Sequence, residues 1–226
     1  MALSKMVAPQ YAPRSKEHAA NRVYEAIKER LLDGRYFAAE KLGVDAIAEE
    51  FGMSRFPVMD AMKRLSVEGF VNITPQVGCR VATFAAAEAT DFFNLCMDMG
   101  GLIAELAAQR RTVEQLLALE EVMQEASILV ERKGRVTDSR YRKSNRQYQL
   151  ILHDMANSRM VTNLAENMMD KVDFMTSTSD LFVSFADSLE RRYADLETLR
   201  EAIVAKDSKQ ARRAYKAQLA TMLRKS

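Results

Sequence analysis

The sequence predicts a mainly α-helical protein, with an N-terminal winged helix-turn-helix domain followed by an all-α helical bundle. Two short helical patterns flank Gly52, and two short β-branched segments follow them. From about Ala85 onwards, alanine, leucine, methionine and charged residues dominate, while glycine and proline become rare. We therefore expect a flexible basic arm over residues 1–18, the winged domain over residues 19–84 and the helical domain over residues 85–226.

The first predicted helix covers about Asn21–Leu32. Val23, Ile27 and Leu31 recur at the four-residue spacing that places side chains on one face of a helix. The Asp33-Gly34 pair then ends the helix, because glycine readily adopts the backbone conformation found at helix ends.

The helix-turn-helix is predicted from spacing. Ile47, Ala48 and Phe51 form a short apolar stripe. Gly52 supplies the backbone freedom that ends this helix. Ser54 is the expected cap of the next helix, because its hydroxyl can accept hydrogen bonds from N–H groups that have no partner in the helix.

The second helix of the pair has two distinct faces. Pro57 fits its first turn, where the missing N–H costs little. The apolar face that we expect to point inward carries Val58, Ala61, Met62 and Leu65. The opposite face, which we expect to enter a groove, carries Arg55, Phe56, Met59 and Lys63.

The segments 71–74 and 79–84 are short and rich in β-branched residues, and a turn over residues 75–78 separates them. This pattern predicts a two-stranded hairpin, which would form the wing.

These features resemble the DNA-binding domain of the GntR family of bacterial transcription regulators, over about residues 22–84. The resemblance is carried by Tyr24-x-x-Ile27, Leu31-Leu32-x-Gly34-Arg35, Ile47-Ala48-x-x-Phe51-Gly52-x-Ser54-Arg55-x-Pro57-Val58, Ala61-Met62-x-Arg64-Leu65, Glu68-Gly69 and Gly78-x-Arg80-Val81. It implies that the second helix and the wing contact DNA.

Two departures from the family concern cations. The family usually has arginines at the positions that Asp45 and Met59 occupy here, so we expect weaker phosphate binding and a larger role for Arg55. Lys28, Arg30 and Lys63 are each open to two interpretations, a contact with DNA or solvation of a helix face. The residues that we expect to contact DNA are Arg35, Ser54, Arg55, Phe56, Met59, Lys63, Gly78 and Arg80.

Six helices are predicted in the second half, at about residues 86–110, 113–133, 138–156, 159–176, 182–205 and 208–224. This half resembles the all-helical effector domain of the FadR branch of the GntR family, called the FCD domain. The resemblance is carried by Leu106-Ala107-Ala108, the helix from Asn145 to Asn157, Ala202-Ile203 with Asp207, and Ala211 through Leu219. It implies a homodimer that senses a small molecule.

Most members of that domain family hold a divalent metal with an aspartate and three histidines. The corresponding positions here are Asn145, Gln149, Leu196 and Gln218. Amides and leucine are poor ligands for transition metals, and the chain has only two histidines, so we expect neither a metal nor another cofactor. His153 shares part of the helix face of Gln149, but a lone histidine is more often a packed side chain.

An effector pocket without a metal would be built from amides and apolar side chains. Such a pocket suits an uncharged or amphipathic molecule better than a small carboxylate. We expect its lining to be Cys96, Asn145, Gln149, Leu152, Leu196, Tyr215, Gln218 and Met222. Five methionines could make the wall adaptable or could simply fill the core: Met97, Met99, Met168, Met169 and Met175.

Composition limits the function classes. A net charge of +2 does not by itself identify a nucleic-acid binder, and no apolar run is long enough to span a membrane. Cys79 and Cys96 have no CxxC spacing, which is typical of reduced thiols in a cytoplasmic protein. No glycine-rich phosphate loop or nucleophile with a histidine partner indicates an enzyme.

We therefore expect a cytoplasmic, ligand-responsive transcription repressor that binds a palindromic double-stranded operator as a homodimer. The alternative is a degenerate regulator whose helical domain is only a scaffold for dimerisation or protein interaction, with no small effector.

Overall fold

The computed structural model describes residues 13–132, 138–183 and 185–222, and of residues 13–17, 138 and 185–187 it describes the backbone alone. Two compact units form. Within the described residues, the first contains residues 13–30 and 39–82, and the second contains residues 31–38 and 83–222. Residues 31–38 were predicted to lie in the winged domain, yet their contacts place them in the second unit.

The first unit is a winged helix-turn-helix. Its elements are α1 (Pro13–Leu32), β1 (Lys41–Leu42), α2 (Val44–Glu50), α3 (Arg55–Val67), β2 (Val71–Thr74) and β3 (Gly78–Val81). The helix α1 begins before the predicted Asn21, so residues 13–18 of the predicted arm are helical, and residues 1–12 of that arm lie outside the described residues. The last two residues of α1 are grouped with the second unit.

The core of the first unit follows the predicted helix faces. Val23 and Ile27 of α1 are fully buried, and so are the four inward residues of α3: Val58, Ala61, Met62 and Leu65. Gly52 has a φ of 61°, as the turn between α2 and α3 requires. Ser54 occupies the N-cap position of α3, but its side chain makes no capping hydrogen bond, so this part of the prediction was wrong.

The wing contains three strands, in the order β1-β3-β2, and all pairs are antiparallel. The predicted two-stranded hairpin was therefore incomplete, because β1 has only two residues and no periodicity of its own. Strand β3 ends at Val81, before the predicted Phe84. In this sheet, Lys41 of β1 lies opposite Arg80 of β3.

The second unit is an all-helical bundle, as predicted. Its helices are α4 (Ala86–Arg110), α5 (Val113–Glu131), α6 (Asp138–Ala156), α7 (Arg159–Thr178), α8 (Phe185–Val204) and α9 (Ser208–Ala220). Thr112 caps α5, since its side chain accepts a hydrogen bond from the Gln115 N–H. Asp207 caps α9 in the same way through the Gln210 N–H.

Helix directions in the bundle follow from contacts between side chains. Lys216 Nζ of α9 lies 2.7 Å from Asp98 Oδ1 of α4, and Arg212 Nη1 lies 2.8 Å from Glu105 Oε2. The residue numbers change in opposite directions, so α4 and α9 are antiparallel. Arg110 in the last turn of α4 donates to the carbonyl of Ala156 at the end of α6, so α4 and α6 run in parallel.

Among the residues described, no helix combines the length and apolar character needed to cross a bilayer.

Candidate DNA interface and effector cavity

The solvent-facing side of α3 presents the residues that the sequence predicted for it. The side chain of Arg55 is 68% exposed, Phe56 is 70% exposed, and Lys63 is also exposed. Met59 is half-buried. A cation and an aromatic ring at the start of a helix can contact phosphates and base edges together.

Asp45 forms an ion pair with Arg55. Its Oδ1 atom lies 3.0 Å from Arg55 Nη1, and both side chains remain more than two-thirds exposed. Asp45 stands in the first turn of α2, where a carboxylate is favoured by the helix dipole. The carboxylate therefore competes with phosphate for the cation that we expect to contribute most to DNA binding.

Lys28 and Arg30, which the sequence left open, have partners within the first unit. Lys28 Nζ lies 2.9 Å from Glu68 Oε2, and Arg30 Nη1 donates to Glu50 Oε2 at 2.9 Å. Arg30 holds the pKa of Glu50 below its ordinary value through this hydrogen bond. These contacts favour a role in helix packing over a DNA contact.

The wing carries the predicted cation Arg80 and a second cation, Lys41, that the sequence did not single out. Arg80 Nη1 donates to the carbonyl of Ala39 at 3.0 Å, and Lys41 is exposed on the neighbouring strand. Gly78 has a φ of 113°, which only glycine adopts without strain. Lys41 was not predicted as a DNA contact, because its place beside Arg80 depends on the pairing of β1 with β3.

Two further predicted DNA-contacting residues, Ser54 and Arg35, are exposed. Arg35 lies in the segment 31–38, which belongs to the second unit by its contacts.

The second unit contains a partly open cavity of about 50 Å³ between its helices. Six of the eight predicted pocket residues line it: Cys96, Asn145, Gln149, Tyr215, Gln218 and Met222. Leu152 and Leu196 are fully buried but are not among its lining residues, because they pack into the core. Of the five methionines, Met99, Met168 and Met169 line the cavity, whereas Met97 and Met175 do not.

Tyr215 and Gln149 form a polar bridge across the cavity. The Tyr215 hydroxyl donates to Gln149 Oε1 at 3.1 Å, and burial raises the pKa of this phenol well above its ordinary value. Gly100 of α4 lies directly beneath the tyrosine ring, where any Cβ atom would overlap the ring carbons. Gly100 was not predicted as a site residue, because its role depends on a helix more than a hundred residues away.

Two buried polar side-chain atoms in the cavity wall have no hydrogen-bond partner among the described residues. They are Gln218 Oε1 and His153 Nδ1. Burial lowers the pKa of His153, so its imidazole is neutral at pH 7, and Nδ1 lies 4.0 Å from Glu166 Oε1. An unsatisfied buried acceptor is costly, which makes such atoms candidates for binding a ligand.

Asp173 is a carboxylate in the cavity wall that the sequence analysis missed. It is 6% exposed and lies 3.7 Å from Arg142 Nη1 through its Oδ2 atom. Burial raises the pKa of Asp173 to about 7, against the opposing effect of Arg142. Arg142 is held more tightly by Asp33, whose Oδ1 atom accepts from Nη2 at 2.7 Å and from Nε at 3.0 Å.

The residues at the family's metal position do not fit a divalent transition metal. Gln149 Oε1 already accepts a hydrogen bond from Tyr215, and the side chain of Leu196 offers no donor atom. Within the described part of the chain, no group of three or more histidine, cysteine, aspartate or glutamate residues is placed to hold a metal.

Both cysteines are buried and free of disulfides. Burial raises the pKa of Cys96 to about 12 and raises the pKa of Cys79 as well. Both thiols are therefore protonated at neutral pH and act as small apolar side chains.

A winged helix-turn-helix with an exposed recognition helix, joined in one chain to a helical bundle whose cavity has apolar and polar walls, defines a class of transcription regulators that pair a DNA-binding domain with an effector-binding domain. Residues 19–81 match the family described as "Bacterial regulatory proteins, gntR family", and residues 91–221 match the FCD domain. The chain belongs to the GntR family, and its second half is an FCD domain. The family consists of transcription regulators, not enzymes.

Similar proteins agree with this assignment. The uncharacterized HTH-type transcriptional regulator YdhC of Bacillus subtilis (strain 168) is 22% identical over 67% of this chain and 66% of its own length. The HTH-type transcriptional repressor RspR of Escherichia coli (strain K12) is 24% identical over 77% of this chain and 75% of its own length.

Solved structures share the fold. E. coli McbR/YncC superimposes with a TM-score of 0.72 at 18% identity and 95% coverage of both chains. A GntR regulator from Rhodococcus sp. RHA1 gives a TM-score of 0.71 at 14% identity, covering 90% of this chain and 94% of its own. At these identities the likeness concerns the fold alone.

Proposed function

We propose that this protein is a cytoplasmic transcription repressor that binds a palindromic operator as a homodimer and responds to a small, uncharged or amphipathic metabolite without a metal. The exposed face of α3, headed by Arg55, is the observation that supports the DNA-binding part. One short recognition helix reads only a few base pairs, so pairing two half-sites is the common route to specificity.

The expected DNA contacts follow from the geometry of the first unit. Arg55, Phe56, Met59 and Lys63 would face the major groove from α3, with Ser54 at its start. Lys41 and Arg80 of the wing would contact phosphates, since both are exposed on adjacent strands. The wing cations would position the protein on DNA, and α3 would read the sequence.

The cavity supports an effector response over the scaffold alternative. A bundle that served only as a scaffold would have no reason to leave Gln218 Oε1 buried and without a partner among the described residues. An effector that binds one arrangement of the protein more tightly would shift the population toward it and so change DNA affinity.

DNA binding can be tested by fluorescence anisotropy with the full chain. The specific probe is a duplex from the region upstream of the protein's own gene, and the control is a shuffled duplex of equal length. We expect tighter binding to the specific duplex, a steep loss of affinity with salt, and a loss of about tenfold or more for Arg55→Ala. Equal affinity for both duplexes at every salt concentration would contradict the proposal.

The effector part is tested by thermal shift with neutral metabolites, acyl-CoAs and divalent metals. We expect stabilisation by at least one organic compound and none by the metals. A complete absence of shifts would favour the scaffold alternative.

A further inference from the structure

We propose that the cavity of the second unit binds the ammonium group of a small primary amine, with Asp173 as its counter-ion and the side-chain oxygens of Gln218 and Asn145 as further acceptors. This inference rests on the proposed function, because it names the chemical class of the effector. It narrows an amphipathic molecule to one with a cationic head and a short apolar tail.

The carboxylate of Asp173 is incompletely neutralised. Arg142 is the nearest cation, but its two short hydrogen bonds go to Asp33 at 2.7 and 3.0 Å, and its distance to Asp173 is 3.7 Å. One guanidinium therefore faces two buried carboxylates. A second cation beside Asp173 would remove the remaining cost of burying its charge.

Arg146 is the other cation whose charge acts on Asp173, and it is shared with a further carboxylate. Arg146 of α6 is bound to Asp170 of α7, with 2.7 Å between Arg146 Nη2 and Asp170 Oδ1. Cys96 of α4 and Tyr215 of α9 line the same cavity and add no charge to it, because burial raises the pKa of both and keeps them protonated. Burial outweighs both arginines and keeps the pKa of Asp173 raised.

Asp173, Asn145 and Gln218 share one end of the cavity. Three pairs of residues join α6 to α7: His153 with Glu166, Arg146 with Asp170, and Arg142 with Asp173. The two helices are therefore antiparallel, and Asp173 lies level with the start of α6, near Asn145. Because α9 is antiparallel to α4 and α6, the step from Tyr215 to Gln218 leads from the level of Gln149 toward that same end.

His153 stands at the opposite end. It follows Asn145 by eight residues, which is about 12 Å along a helix. A single ammonium group therefore cannot contact both residues.

The hydrogen-bond donors of an ammonium group match the acceptors at this end of the cavity. An ammonium group has three N–H donors and no acceptor. Gln218 Oε1 is buried without a partner among the described residues, and Asp173 and Asn145 line the same cavity. These three side chains can accept all three hydrogen bonds.

An anion is disfavoured at this site. None of the described residues that line the cavity is a lysine or arginine, and a carboxylate would face Asp173 directly. Arg146 Nη1 is buried and has no hydrogen-bond partner in the part of the chain that the structure describes, but Arg146 does not line the cavity.

The size of the cavity limits the length of the apolar tail of the amine. At about 50 Å³ the cavity holds only a few heavy atoms, so a longer tail has to displace side chains. Met99, Met168 and Met169 are unbranched and can change rotamer at low cost, which suits a short alkyl chain.

The test uses the full chain at pH 8, where Asp173 is ionised. Calorimetric titrations compare n-butylammonium chloride, 1-butanol and sodium butyrate at equal ionic strength. We expect saturable binding of n-butylammonium at least tenfold tighter than of the alcohol, and no binding of butyrate. Asp173→Asn should weaken amine binding tenfold or more, and Gln218→Met should weaken it severalfold.

The matched control is Asp98→Asn, which removes a carboxylate paired with Lys216 on the surface, outside the cavity. It should leave amine binding unchanged. If Asp173→Asn does not fold, Gln218→Met and the three ligands still decide the question. Tighter binding of butyrate or butanol, or equal amine binding by wild type and Gln218→Met, would overturn the inference.

The two proposals fail separately. Equal affinity for the operator and the shuffled duplex in the anisotropy assay would contradict the proposed regulator function, whether or not the protein binds the amine. Specific operator binding combined with no amine binding would overturn only the inference about the effector.

Discussion

The ion pair between Asp45 and Arg55 bears directly on how strongly α3 can bind DNA. An exposed pair of this kind contributes at most about 1 kcal/mol, so a phosphate can displace it. We expect Asp45→Ala to tighten DNA binding by about three- to tenfold, because it removes both a competitor for Arg55 and a repulsive charge near the phosphates. Fluorescence anisotropy at several salt concentrations measures this gain.

The control for that prediction is Asp91→Ala, which removes one exposed carboxylate from α4 in the second unit. It makes the same change in net charge far along the chain from the recognition helix. An equal gain from both substitutions would show that net charge alone, and not the contact with Arg55, sets the affinity.

Asp173 should make stability depend on pH. Its carboxyl has an ordinary pKa of 3.8 and a pKa of about 7 in the folded protein. Between these values the folded state binds more protons than the unfolded state, so the contribution of Asp173 to the free energy of unfolding falls as pH rises from about 4 to 7 and is constant above that.

Urea unfolding at pH 5 and pH 8 tests this for wild type and Asp173→Asn. From pH 5 to pH 8, we expect the free energy of unfolding of the wild type to fall by about 1–2 kcal/mol more than that of the variant. Other titrating groups such as His153, whose lowered pKa has the opposite effect, cancel in the comparison. Identical pH dependence of the two proteins would argue against the raised pKa.

Cavity residues that follow a local spacing could be predicted from the sequence, whereas those that depend on contacts between distant residues could not. Asn145 and Gln149 were identified because an i, i+4 spacing places both on one face of a helix. Asp173 was missed because its environment depends on Arg142, which is bound to Asp33 at a separation of 109 residues. No local pattern carries such a contact.

At the scale of elements, the packing of α4 on α9 depends on glycine. Gly100 lies against the ring of Tyr215, so Gly100→Ala should force the ring away from Gln149 and cost about 2 kcal/mol of stability. Gly101→Ala is the matched control, because its new Cβ would lie 3.1 Å from Lys216 Cγ, 3.2 Å from Arg212 Cγ and 3.4 Å from the Arg212 carbonyl oxygen, which are tight contacts without overlap.

Thermal unfolding of both variants measures the difference. Alanine gains about 1 kcal/mol over glycine in a helix, so Gly101→Ala should be near neutral while Gly100→Ala is clearly destabilised. Equal stability of the two variants would mean that Tyr215 can move without cost.

The helices were easier to predict than the strands. Long periodic segments with few glycines and prolines placed α4 through α9 close to their observed bounds. Strand β1 was missed, because a two-residue strand has no period and exists only through its pairing with β3. Its absence from the prediction also hid Lys41, which the wing brings beside Arg80.

At the scale of the whole molecule, the proposed homodimer predicts a dependence on operator spacing. Two copies of α3 can read one face of a duplex only if the half-sites are about one helical turn apart or a multiple of it. Insertion of 5 base pairs between half-sites moves one of them to the opposite face, so we expect a loss of affinity of about a hundredfold or more.

Electrophoretic mobility shifts measure the affinity for the natural duplex and for duplexes with 5 or 10 base pairs inserted between the half-sites. We expect the 10-base-pair insertion to restore part of the binding. Unchanged affinity across the three duplexes would indicate that each chain binds alone. Light scattering of the free protein gives the number of chains independently.

The second unit is not continuous along the chain, since residues 31–38 belong to it. A fragment cut at the conventional border near residue 84 would leave Asp33 behind, and Arg142 would then turn to Asp173 as its only remaining acidic neighbour among the contacts seen here. We expect the charge of Asp173 to be neutralised in such a truncated protein, which should therefore bind the proposed amine more weakly than the intact chain. Any isolated sensor domain of this protein must therefore carry the 31–38 peptide, supplied by fusion or in trans.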